Sequence, residues 1–191
     1  MNRGESSAEL SGKLLIAMPG MGDRRFEKAV VYICVHSPDG SMGLIVNKPS
    51  FELDFEALLK QLSIEQSAEI IPPQVHFGGP VELGRGFVLH SAEYGQGDGT
   101  MKVDQSFAMT ATLDVLEDLA QGQGPKRALL ALGYAALGPG QLESEIVQNG
   151  WLTCDASTGV VFEEANETKW EAALKSLGID PLMLSSTAGH A

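Results

Sequence analysis

Basic residues are scarce in this chain: 13 Lys and Arg stand against 25 Asp and Glu over 191 residues, for a formal net charge of −12. Nucleic-acid affinity rests largely on neutralising phosphates with Lys and Arg, so direct binding to DNA or RNA is disfavoured. Cysteine is almost absent. Cys34 and Cys154 each sit inside an apolar run with no Cys-x-x-Cys spacing, which points to two buried reduced thiols and away from a disulfide framework. No stretch approaches the roughly 20 apolar residues of a membrane span, and residues 1–9 have no apolar signal core, so a cytoplasmic protein without a membrane partner is predicted. Gly-x-Ser-x-Gly and the phosphate-cradling Gly-x-x-x-x-Gly-Lys-Ser/Thr are both missing. Gly95, Gly97 and Gly99 punctuate a loop that has no lysine and opens no helix, so a hairpin loop is expected there.

What is present is apolar and well patterned. Hydrophobic residues make up 43% of the chain, enough for one core, and the length fits a single domain of roughly 100 to 200 residues. The domain is expected over 10–184, with flexible tails at 1–9 and 185–191. Strands are predicted at 13–18, 29–36, 42–47, 75–77, 86–90, 101–109, 129–134, 151–155 and 160–163. The turn Ser37-Pro38-Asp39-Gly40 joins the second and third as a hairpin, and a turn at 156–159 is read as joining the last two. Phe55, Leu58, Leu59 and Leu62 form a helical stripe behind an Asp54 cap. Leu113, Leu116, Leu119 and Ala120 mark a second helix, closed by Gly122. A third follows Gly138, with Pro139 as its first residue. The fourth opens with Thr168 and Glu171 as a capping box, buries Trp170, Ala173, Leu174 and Leu177, and stops at Gly178. Hairpins are too frequent for a repeating strand and helix unit. The fold class is therefore α+β: a mixed, largely antiparallel sheet with helices packed against it in one domain.

Several ordered motifs carry a resemblance. They are Leu14-Leu-Ile-Ala-Met-Pro-Gly-Met-Gly-Asp23, Val30-Val-Tyr-Ile-Cys34, Met42-Gly-Leu-Ile-Val-Asn47, Gly78-Gly-Pro-Val81, and Gly138-Pro-Gly-Gln-Leu-Glu143 through Asn149 and Trp151. Together they resemble the YqgE/AlgH family of bacterial proteins from about Leu14 to Leu174. The resemblance implies a compact α/β domain with no established catalytic activity. Some members carry the label of transcriptional regulator, on the strength of a phenotype and not of a DNA-binding motif. This chain departs from the family in having Arg24 where Pro is usual, and Ala136-Leu137 where Gly-Trp is usual.

The candidate binding residues are Pro19, Asp23, Arg24, Asn47, Gly78, Gly79, Gln141 and Glu143. No catalytic residue, metal ligand or cofactor is assigned, and the partner expected is an unidentified protein or small molecule. Cys34 and His36, two apart on a strand, would share a face but lack a third ligand. His76 and His90 flank the Gly78-Gly79-Pro80 turn, where facing structural histidines are the simpler reading. A helical projection puts Glu143 inward, between Ile146 and Val147, and makes loop amides or Arg24, Arg25, Arg85 or Arg127 its expected partner. The leading functional expectation is non-enzymatic regulatory binding. The alternative is a hydrolase with a cleft formed by the loops at 18–25, 47–49, 78–80 and 138–143, in which His76 or His90 approaches Glu143 beside the Gly78-Gly79-Pro80 turn.

Overall fold

A computed structural model describes residues 10–20, 22–67, 69–95 and 99–184; the tails expected to be flexible lie outside them. The strands are β1 (Lys13–Ala17), β2 (Val30–Ser37), β3 (Gly40–Ile45), β4 (Val75–Phe77), β5 (Val81–Ser91), β6 (Thr100–Lys102), β7 (Phe107–Thr110), β8 (Ala128–Leu137) and β9 (Trp151–Asp155). They form one curled sheet in the order β6-β7-β5-β8-β3-β2-β1-β9, with β4 paired to β8 off that path. Among the described residues only the β4 and β8 pair is parallel. The uninterrupted apolar run of β8 is what a strand covered on both faces requires, and β8 is bordered by β5 along one edge and by β3 and β4 along the other.

Helices cover both faces. On one, α4 (Lys169–Ser176) sets Trp170, Ala173 and Leu174 against Leu14, Ile16, Val30, Tyr32 and Leu44. The Trp170 indole Nε1 also donates to Ala17 O at 2.8 Å. On the other, α3 (Gln141–Val147) places Leu142 and Ile146 over Leu15, Val31, Ile33 and Ile45. Helices α1 (Phe55–Gln61) and α2 (Asp114–Ala120) pack Phe55, Leu59, Val115 and Leu116 around Val88 and Leu130. Asp54 caps α1 as expected, accepting from Ala57 N at 2.8 Å.

Four local expectations change. Residues 101–109 are not one strand: Asp104 accepts from the amides of Ser106 and Phe107 and folds the segment into the β6 and β7 hairpin. Residues 160–163 do not pair with β9; they form a single π-helical turn, Gly159–Glu163, that drives Val161 into the core. The α4 capping box does not close, because the Thr168 hydroxyl donates to Glu164 and Ala165 O, and Leu177 stays 42% exposed. Helix α3 begins at Gln141 behind Gly140, two residues later than Pro139.

Candidate functional site

The loop after β1 passes between two cavities. The larger, about 610 Å³, is lined by Pro19, Arg24, Lys28, Trp170 and Leu182 among others. The second, about 440 Å³, lies between that loop, the end of β8 and α3. Its apolar lining is Leu15, Phe26, Val31, Ala135, Leu137 and Trp151, and its polar rim is Asp23, Arg25, Gln141, Glu145 and Gln148. A concave, mostly apolar surface with a few fixed polar groups is the usual form of a ligand site.

A hydrogen-bonded line runs along its wall. Gln141 Oε1 accepts from Gly138 N at 2.9 Å, and Gln141 Nε2 donates to Glu145 Oε1 at 3.0 Å. Glu145 Oε2 in turn accepts from the Trp151 indole at 2.8 Å. Trp151 is further held by the edge of Phe26, with ring centroids 5.8 Å apart. Both cleft aromatics are thus fixed before any ligand arrives, which lowers the ordering cost of binding. Across the mouth, Arg25 grips the Asp23 carboxylate through Nε and Nη2, the shortest contact being 2.7 Å. Asp23 also caps the short turn Arg24–Phe26. The Arg25 side-chain bonds hold the Asp23 carboxyl below its ordinary range.

The eight candidate residues separate. Asp23 and Gln141 line the cleft, whereas Pro19 and Arg24 line the neighbouring cavity. Asn47 serves the backbone: its Oδ1 accepts from Val30 N and its Nδ2 donates to Lys28 O, both at 2.8 Å. With those groups engaged it is a brace for the entry to β2. Asn47→Ala is expected to cost about 2 kcal/mol in urea unfolding, since it removes two bonds and strands the Val30 amide. Gly78 and Gly79 are also structural, because they let the chain cross against β8. A Cβ on Gly78 would stand 2.4 Å from Gly133 O. Their neighbour Pro80 does line the cleft.

Glu143 has a different partner from those expected. Its side chain is 44% exposed, and Oε1 lies 2.8 Å from Nε2 of the buried His36. Nε2 nonetheless makes no aligned hydrogen bond among the described residues, so this is a close approach of carboxylate and imidazole. His36 Nδ1 meets Ser41 Oγ on the facing strand. The β-bulge between Ile33 and Val35 brings this about: it reverses the alternation of β2, so that Cys34 packs with Tyr32 while His36 turns to the α3 face. Cys34 and His36 therefore do not share a face. Val147, expected inward, is 80% exposed.

His76 and His90 do not meet Glu143. The His76 ring lies between Leu130 O and Asn166, and that of His90 between Ser91 O and Thr110. Nor do they face each other, since β4 and β5 each pair with β8. Among the described residues, neither histidine approaches Glu143 as the alternative cleft requires. What the sequence reading missed is the pair Glu145 and Trp151; their spacing, helix end to strand start, was legible, but no periodicity signals such a bond.

Fold and site together define a single α+β domain with a curled, largely antiparallel sheet and an apolar cleft at the β1 loop and α3. The chain belongs to the AlgH-like family, a family without an established function, whose model matches residues 14–182. Its similarity to a relative from Jannaschia sp. is 58% identity over 184 residues, covering 96% of each protein. A Ruegeria pomeroyi relative is likewise 58% identical over 184 residues, covering 96% of this chain and all of that one. Among solved structures it is similar to the AlgH protein of Pseudomonas aeruginosa, with a TM-score of 0.75 and 37% identity over 91% of this chain and 92% of that one. It shares the fold of a Corynebacterium diphtheriae protein at a TM-score of 0.71 and 19% identity, covering 87% and 86% of the two chains. The family expectation drawn from the ordered motifs holds. Among the described residues, no helix is long and apolar enough to cross a membrane.

Proposed function

We propose that this protein is a cytosolic, non-enzymatic binding protein with a regulatory role. Its cleft takes the apolar group of a small molecule or of a partner protein's side chain. The observation that carries this reading is the cleft itself: an apolar lining of Leu15, Val31, Leu137 and Trp151, with Glu145 and Gln141 locked along one wall. Because those polar groups are already paired, the ligand gains mainly by leaving water and by contact with the fixed rings. Leu137 keeps that part of the wall apolar.

A fragment screen by NMR with neutral aromatic amides tests this. Hits are expected to shift the Trp151 indole N–H resonance. Ala136→Trp, which adds bulk at an exposed position on the cleft, is expected to weaken them at least about tenfold while changing stability by less than about 0.5 kcal/mol. Hits that leave the Trp151 resonance unmoved, or that bind the variant equally, would sink the proposal.

One observation favours a second reading. Ser41, His36 and Glu143 follow one another as a hydroxyl, an imidazole and a carboxylate, the order of a hydrolase triad. None of the three lines the cleft, so the binding reading is preferred. Labelling of Ser41 by a fluorophosphonate would reverse that preference.

A further inference from the structure

On the opposite side of the sheet from α3, a cavity of about 250 Å³ lies between β4, the π-helical turn and the start of α4. Gln74, His76, Leu129, Glu164, Asn166 and Lys169 are among its lining residues. We propose that this cavity binds a small monocarboxylate, held by the Lys169 ammonium and the side-chain amides of Gln74 and Asn166.

Lys169 is the starting observation. The residue is only 3% exposed, and among the described residues Nζ donates to one acceptor, Val46 O, at 2.7 Å. An ammonium carries three N–H groups, and leaving such a charge buried without an acceptor for each is costly. Among the described residues no carboxylate closes a salt bridge with it. Glu164 lies near enough to act through its field, but it is exposed and its carboxylate accepts from Thr168 Oγ1 at 2.7 Å. Lys169 is also the first residue of α4, directly after the 3-10 turn Asn166–Thr168, and so sits toward the positive end of the helix dipole. A cation is badly placed there, and an anion beside it is well placed.

The neutral groups match. Both His76 nitrogens face oxygens, Leu130 O at 3.0 Å and Asn166 Oδ1 at 3.1 Å. Burial first, and the nearby Lys169 charge second, push the imidazole pKa down, so His76 is neutral at pH 7 and owns one N–H. A backbone carbonyl cannot donate, so that proton sits on Nδ1. Asn166 must then turn its amide nitrogen toward Nε2, and Gln74, bonded to Asn166 at 2.8 Å, turns in concert. The result is a linked pair of amides with N–H groups to spare, lining the same cavity as Lys169. One fixed positive charge matches one carboxylate, whereas a phosphate dianion would need more donors than the cavity offers. The space is also below the roughly 300 to 1,000 Å³ of sites for larger ligands.

The test is an NMR titration of the full chain with sodium acetate, followed at the side-chain amides of Gln74 and Asn166, with inorganic phosphate as a second arm. Saturable shifts are expected with acetate and weaker ones with phosphate. Lys169→Met keeps the apolar stem and removes the charge, and it is expected to abolish them. A measurement on the unaltered protein stands beside it. Burial pushes the Lys169 ammonium down to about 8, against the opposing field of Glu164, while the facing His76 stays neutral. Acetate affinity should therefore fall about thirtyfold from about pH 6.5 to about pH 9.5, as the competent fraction shrinks. No saturable shift, an affinity that ignores pH, equal binding by a folded Lys169→Met, or tighter binding of phosphate would each overturn the proposal.

Discussion

Gly79→Ala is expected to abolish folding, or to destabilise by more than about 4 kcal/mol, in circular dichroism and urea unfolding. The reason is a backbone crossing. A Cβ built on Gly79 lies 2.0 Å from the carbonyl carbon of Tyr134, 2.2 Å from its oxygen and 2.3 Å from Ala135 N. Those atoms belong to β8, which is held by β5 on one edge and by β3 and β4 on the other and so cannot yield. Gly140→Ala is the comparison. Gly140 has φ +72° but nothing within 4 Å of an added Cβ, so only conformational strain of roughly 1 to 2 kcal/mol is expected. Similar losses for the two variants would mean that contact with β8 is not what Gly79 secures. Since small domains are stable by only about 5 to 15 kcal/mol, the predicted difference separates a folded protein from an unfolded one.

The same crossing shows what a sequence discloses. The apolar run of β8, the stripe of α1 and the Pro38-Asp39 turn were legible because each is a local rule, and each element stands where the pattern put it. The exception is Leu62, the last position of the stripe, which falls past the end of α1 and is exposed. Gly78 and Gly79 were also legible as landmarks, but their role was not: glycine at a ligand and glycine at a backbone crossing look alike until the second strand is known. Glu143 failed differently. Helix α3 has seven residues, and apolar positions over two turns leave its inward direction loosely fixed. The true direction runs through Leu142, Glu145 and Ile146, so Glu145 became the carboxylate of the cleft and Val147 was left outside. His36 was hidden by a single bulge, which no period-two argument anticipates. Asp23 and Gln141 reached the cleft because they flank turns that face each other across it; Pro19 and Arg24, on the same loop as Asp23, face the other way.

Stability should report the buried lysine independently of any ligand. Between about pH 8 and about pH 10.5 the unfolding free energy of the protein, taken relative to that of Lys169→Met, is expected to rise by about 3 kcal/mol. Burial, partly opposed by Glu164, lowers the Lys169 pKa to about 8 in the folded chain, whereas an unfolded lysine titrates near 10.4. Below about pH 8 both states are protonated, and the native state bears the full penalty of a buried charge. Across the window the unfolded chain binds more protons, so stability increases with pH. Above the unfolded pKa both are neutral and the penalty is gone. The difference against the variant is essential, because burial pushes the Cys34 thiol up to about 12, and that group works in reverse: its unfolded form loses a proton first, and stability falls as pH rises from the ordinary thiol range. Subtracting the variant, which keeps Cys34, cancels that opposing slope. Urea unfolding at several pH values across the window reads the result directly. A flat difference would mean that Lys169 reaches water or an acceptor in solution that Val46 O alone does not supply, and it would remove the electrostatic basis for an anion beside it.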